Sequence, residues 1–169
     1  VRSLGKTFFL SSFTSALNLA ACAMVGYGLA RFRFPGSGII FGLAIFTLVV
    51  PPQLIMVPMY LNFRFFDLLG LLRKPINLIG TYWPFALMSG TATGFRCGLY
   101  IFIMRQFFKG MPKALEEAAY IDGAGLFTTF IRVMLPGAVP GLVVTFLFSF
   151  VWQWNDYLYV TQFMPGQNF

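Results

Sequence analysis

Four apolar stretches, each about long enough to cross a bilayer, alternate with short polar segments along this chain. A spanning helix needs roughly 20 mostly apolar residues. Stretches that qualify run from about 8 to 30, 38 to 61, 76 to 104 and 137 to 160. The first carries Ser15, Ala16, Ala20, Ala21, Ala23, Gly26 and Gly28, small residues that let another helix come close. A basic turn, Arg31-Phe32-Arg33-Phe34-Pro35-Gly36, closes it. The second contains Pro51-Pro52 and Pro58. Proline lacks the backbone donor and clashes with the preceding turn, so a break is expected where protein or water can satisfy the freed carbonyls. A packing kink and a cavity wall both fit that pattern. The third has a polar middle, residues 89–94, followed by Arg96. An ionisable group at membrane depth marks a functional site or snorkels from a helix break. The fourth places Pro140 in its first turn, where proline is tolerated, and Trp152, Trp154, Tyr157 and Tyr159 in its second half, as expected near an interface.

The connections differ in character. Residues 62–75 combine Arg64, Asp67, Arg73 and Lys74 with Phe65, Phe66, Leu68, Leu69, Leu71 and Leu72, an amphipathic loop expected at the membrane surface. The longest polar connection, 105–136, reads as helix, glycine turn, helix. Pro112 suits a first helical position, and residues 115–121 favour or permit a helix. Gly123 is placed for a left-handed cap. The predicted helix, from Pro112 to Asp122, is about 11 residues, or roughly 16 Å. A second short helix is expected from Leu126 to Met134, after which Leu135-Pro136 redirects the chain into the fourth span. Ala118 and Ala119 would leave a low surface for another protein. Glu116, Glu117 and Asp122 offer carboxylates to a basic partner, with arginine the best match. Four spans place the 31–36 turn and the 105–136 loop on one side. The basic residues, six on that side and five on the other, leave the orientation open.

Composition sets the class. The chain is 58% hydrophobic and 10% charged, against roughly 25% charged in soluble domains. A fold of 169 residues cannot hide that much apolar surface from water, so the expected architecture is an all-α polytopic membrane bundle. The net charge of +7 is scattered, whereas a nucleic-acid groove gathers its cations on one face. Histidine is absent and the two cysteines, Cys22 and Cys97, sit in apolar runs. That leaves no zinc set, no Ser/His/Asp or Cys/His pair, and no Walker loop for ATP. No catalytic residue, metal site or bound cofactor is expected in this polypeptide.

One spaced pattern is far more specific than any of these: Glu117-Ala118-Ala119-x3-Gly123-x9-Val133-x-Leu135-Pro136. From average residue frequencies, a match at a given start point has odds below about 10⁻⁷. On this signature the chain resembles the inner-membrane permease subunits of binding-protein-dependent ABC importers, in the maltose-type sugar branch, with Val133 where isoleucine is usual. Tyr27-Gly-Leu-Ala-Arg31-Phe-Arg33-Phe-Pro-Gly36, Val57-Pro-Met-Tyr60, Leu69-Gly70-Leu71, Arg105-Gln-Phe-Phe108 and Trp154-Asn-Asp-Tyr157 extend the likeness over nearly the whole chain. The resemblance implies a multi-pass protein of the cytoplasmic membrane with six spans, so that one precedes Val1 and one follows Phe169. It implies that 105–136 is a cytoplasmic coupling loop within a single permease domain. Its helix would seat in a cleft of a separate ATPase subunit, which binds ATP and magnesium, with Glu117 paired to a basic residue there. A second homologous permease would complete the pore, and an extracytoplasmic binding protein would deliver a sugar or sugar-like solute. For the substrate path the candidates are Asn155 and Asp156, with Pro51 and Pro52. A passive channel, or a scaffold whose acidic loop binds some other protein, is the alternative.

Overall fold

The computed structural model describes residues 2–67, 75–94 and 96–166. The Leu69-Gly70-Leu71 match, the apolar positions Leu68 and Leu72, and the basic residues Arg73 and Lys74 lie outside the described residues.

The described residues are mostly helical, and α1 (Arg2–Arg31) is their axis. Its 30 residues span about 45 Å at 1.5 Å per residue. Among the described residues it is the one unbroken helix long and apolar enough to cross a membrane. Around it pack α4 (Trp83–Gly90), α5 (Cys97–Gly110) and α9 (Val139–Trp154). Of the small residues on α1, Gly26 makes the decisive approach. A Cβ there would lie 2.8 Å from Met104 Cβ and 3.0 Å from the Arg105 backbone nitrogen.

The other three predicted stretches are each interrupted: the second at the prolines, where a break is expected, and the third and fourth against the reading of each as a single span. The second divides into α2 (Ser37–Phe46) and α3 (Pro52–Arg64). Pro51 is extended, with ψ 132°, and Pro52 opens α3; neither can donate into the ladder of the preceding turns. Pro58, by contrast, sits inside α3 without ending it. The third span divides at the polar stretch, between α4 and α5. Ala92 and Arg96 both adopt left-handed backbone, φ 54° and 68°. The hydroxyl of Thr91 donates to the Leu87 carbonyl at 2.6 Å, one of the local bonds by which Ser and Thr compete with the helix. The fourth divides between α9 and α10 (Tyr157–Phe163). There the Asn155 amide donates to the Val151 carbonyl at 2.7 Å, and Asp156 caps α10 by accepting from Tyr159 N at 3.1 Å.

The long connection forms α6 (Ala114–Ile121), α7 (Leu126–Thr129), a π-helical turn at Phe130–Met134 and α8 (Leu135–Gly137). The axis then bends by 80° into α9. α6 has 8 residues, shorter than predicted, because Pro112, Lys113 and Asp122 lie outside it.

Polarity is distributed as lipid requires. Ile39, Leu43, Val57 and Leu147 are more than half exposed, while Ser11, Thr14, Ser15, Asn18, Thr145 and Ser149 are buried between helices. Small and polar residues are the usual contact set of membrane helices. Aromatic clusters close both ends: Tyr27, Phe108 and Phe130 at the loop end, and Phe63, Phe85 and Phe163 at the other.

Candidate functional site: a cavity at three helix breaks and an exposed loop helix

The three interruptions converge on one cavity of about 440 Å³. Pro52 and Gln53 come from the first break, Gly94 and Arg96 from the second, and Asn155 and Asp156 from the third. Irregular backbone at membrane depth is tolerated where it is buried in protein or lines a water-filled space, so this convergence has a physical reason. Asn18 and Tyr100 close one wall, Ser89 and Phe85 another, and Ser149, Trp152 and Gln153 a third. The guanidinium of Arg96 stacks on the Trp152 ring, 3.2 Å from its centroid. Behind the cavity, Cys97 Sγ donates to Asn18 Oδ1 at 3.0 Å, and Asn18 Nδ2 donates to Ser149 Oγ at 3.2 Å. These bonds tie α1, α5 and α9 together. Amides, hydroxyls and a carboxylate beside flat aromatic faces suit a polyhydroxylated ring: the hydroxyls find donors and acceptors, and the ring faces find apolar surface.

Of the four residues expected on the substrate path, the structure brings Asn155, Asp156 and Pro52 together at the cavity. Pro51 is exposed and outside the lining, in the cap position of α3. Sequence reasoning missed Asn18, Gln53, Tyr100 and Gln153. Asn18 had a visible signal, as a lone amide in an apolar span. The others have none, because they come from three different elements, α3, α5 and α9.

The second place of interest is the loop helix at the far end of α1. Here the structure divides the predicted contact residues by face. Glu116 and Ala119, three apart and therefore on one side of α6, are buried. Glu117, Ala118 and Asp122 are exposed. Glu116 is thus not offered to a partner, and Ala118 alone forms the low outward surface; both points correct the sequence reading. The Glu116 carboxylate is taken up within the chain, its Oε2 lying 3.4 Å from Arg31 Nε. Gly123 has φ +80°. Gly123 N donates to the Tyr120 carbonyl at 3.0 Å and Ala124 N to the Ala119 carbonyl at 2.9 Å. Together they form the paired bonds of a left-handed helix stop. Nothing lies within 4 Å of a Cβ at Gly123, so its requirement is one of backbone conformation. Leu115, Ile121 and Phe127 are also exposed, Ile121 to 85%, giving the loop an apolar outward surface flanked by carboxylates. Leu135 packs against the cluster around Tyr27, and Pro136 stays exposed beside it.

Comparison with known proteins bears on both places. A family described as "Binding-protein-dependent transport system inner membrane component" matches residues 22–168. The chain is 38% identical over 161 residues to the diacetylchitobiose uptake system permease protein of Streptomyces coelicolor, covering 92% of this chain and 49% of that protein. It is 32% identical to the alpha-glucoside transport system permease protein of Rhizobium meliloti, covering 95% of this chain and 41% of that one. A chain in the crystal structure of a bacterial ABC transporter involved in the import of the acidic polysaccharide alginate superposes with TM-score 0.77 at 25% identity, over 97% of this chain and 52% of that one. The chain therefore spans about half the length of the relatives it matches.

Proposed function

The chain belongs to the binding-protein-dependent transport system inner membrane component family, and from that membership we propose that it is the permease part of an ABC importer for a sugar or sugar-like solute. The observation that carries this reading is the meeting of three broken spans at one cavity lined by amides and aromatics. Unbroken apolar helices would leave no polar wall at that depth. The names of the relatives, with diacetylchitobiose and alpha-glucoside among them, support a carbohydrate.

In this reading the chain sits in the cytoplasmic membrane as a multi-pass unit and catalyses no covalent step. ATP, with its magnesium ion, is bound and hydrolysed by a separate ATPase subunit. The 105–136 connection is the cytoplasmic coupling loop, and α6 seats in a cleft of that subunit. Glu117 and Asp122 face basic residues there, Ala118 and Ile121 fill the cleft, and Gly123 lets the chain turn away. Leu135 and Pro136 anchor the return into α9. Closure of the ATPase pair moves α6, and the breaks beside the cavity let the outer half-helices tilt against the inner ones. An extracytoplasmic binding protein supplies the solute, and a second homologous permease forms the opposite wall.

The test is recovery of the complex from native membranes. Wild type is expected to bring down a Walker-motif ATPase, and Glu117→Lys and Gly123→Asp to lose it. If both variants retain the ATPase in full, the coupling role of residues 117–123 is wrong, and a passive pore or scaffold becomes the better reading.

A further inference from the structure

A coupling helix is useful only if its displacement reaches the spans, and α6 is poorly built to do that alone. Its 8 residues fall below the roughly 12–15 at which an isolated helix holds in water. Its main backbone neighbours are α7 and the π turn, which belong to the same loop. The link to the membrane helices runs through side chains: Tyr27 of α1 faces Glu116 and Tyr120 of α6, and Arg31 adds a charged tie. Arg31 is the last residue of α1. Its Nη2 donates to the Met111 carbonyl at 2.9 Å, and Met111 is the residue that ends α5. Its Nε lies 3.4 Å from Glu116 Oε2, with the two side chains only 7% and 11% exposed. One guanidinium therefore joins the end of α1, the end of α5 and the first turn of α6.

We propose that Arg31 is a positioning residue for energy coupling: it fastens α6 to the α1–α5 pair so that the three move as one body. This rests on the coupling reading above. One turn earlier, Tyr27 packs against Phe108 and Phe130 at 5.4 and 4.9 Å between ring centroids, giving the arginine a rigid floor. The close approach at Gly26 holds α1 and α5 in register. Asn18, on the cavity wall, lies 13 residues before Arg31, about 20 Å along the same helix. A push on α6 thus arrives at the cavity without crossing a flexible joint. The fork geometry matters because the guanidinium donates to a carbonyl of one element while pairing with a carboxylate of another, which a lysine ammonium does not reproduce. Arg31 touches neither the cavity nor the exposed face of α6, so its loss acts on the link between the two sites rather than on either site's own surface.

The experiment uses the protein assembled with its ATPase, sister permease and binding protein in proteoliposomes, with Cys22 and Cys97 replaced and Tyr157→Cys introduced as a probe. Tyr157 lines the cavity and is 77% exposed. The readout is labelling by a charged methanethiosulfonate before and after trapping with ATP and vanadate. No sugar is needed. Arg31→Gln and Arg31→Lys are expected to keep the ATPase bound and basal hydrolysis within about twofold. The trapping-dependent change in labelling rate should fall at least tenfold for Gln and severalfold for Lys. The exchange Arg31→Glu with Glu116→Arg should recover more of it than Arg31→Glu alone. A full labelling change in Arg31→Gln overturns the proposal. So does an exchange no better than the single variant, or release of the ATPase by Arg31→Gln, which would make Arg31 an assembly residue. If the unmutated protein binds no ATPase, the coupling reading itself fails, and that result is separate from the other three.

Discussion

Gly26→Ala, set against Gly28→Ala, tests how the axis of this fold is held. A Cβ at Gly26 would stand 2.8 Å from Met104 Cβ and 3.0 Å from Arg105 N. Comfortable carbon contacts lie near 3.5–4.0 Å, so α1 and α5 must part by roughly 0.7–1 Å. The obstructing atoms are backbone and a Cβ, which have no rotamer by which to escape. Overpacking of this kind costs about 1–3 kcal/mol. Gly28 lies two residues on and faces away: a Cβ there meets only Phe32 Cδ2, at 4.0 Å. Both substitutions gain the same helix preference of alanine over glycine, about 0.5–1 kcal/mol. That gain cancels in the comparison and leaves the overpacking cost as the gap. At about 2–4 °C per kcal/mol for a chain of this size, Gly26→Ala should unfold roughly 2–12 °C below Gly28→Ala in detergent. Maleimide labelling gives an independent readout. Cys22 and Cys97, 0% and 2% exposed, flank this contact and should react faster in Gly26→Ala alone. Equal unfolding temperatures with both thiols silent would refute the close-packed α1–α5 axis.

Two further outcomes follow from the same geometry. Gly123→Ala puts a Cβ at φ +80° with no neighbour to strike. The cost is therefore backbone strain alone, about 1–2 kcal/mol, and ATPase recovery should weaken without disappearing, whereas Gly123→Asn, which tolerates this conformation, should lose less. Trp152→Ala removes the ring on which Arg96 stacks and an aromatic face of the cavity. Uptake of the solute carried by the binding protein should fall at least tenfold while the complex stays assembled; undiminished uptake would remove the cavity from the path.

Much of the architecture was legible in the residues. The mostly helical character of the described residues and the long apolar axis α1 follow from apolar runs of the right length. In hydrocarbon a backbone must satisfy itself, and nothing in these runs competes with a helix except at marked places. Those places were legible too: Pro51-Pro52, residues 89–94 and Asn155-Asp156 stand out as polar or donor-poor. The spaced signature from Glu117 to Pro136 pointed to the family whose model matches residues 22–168. Its glycine stop is a local matter of φ, which a single residue type can declare.

What the residues did not declare is how these places stand to one another. Each break reads alone as a kink, and only the folded chain, with α4, α5 and α9 packed around α1, brings three kinks to one cavity. The same limit explains Glu116 and Glu117. They are adjacent, chemically identical and equally available by sequence, yet 100° of helical rotation sends one toward Arg31 and the other outward. A lone Gly26 among several small residues is likewise indistinguishable until Met104 is against it. Solvent preference and backbone conformation are local properties, set by each stretch of chain by itself. Which face is inside, and which distant residue meets it, depends on contacts between segments far apart in the chain, and only the folded structure holds those.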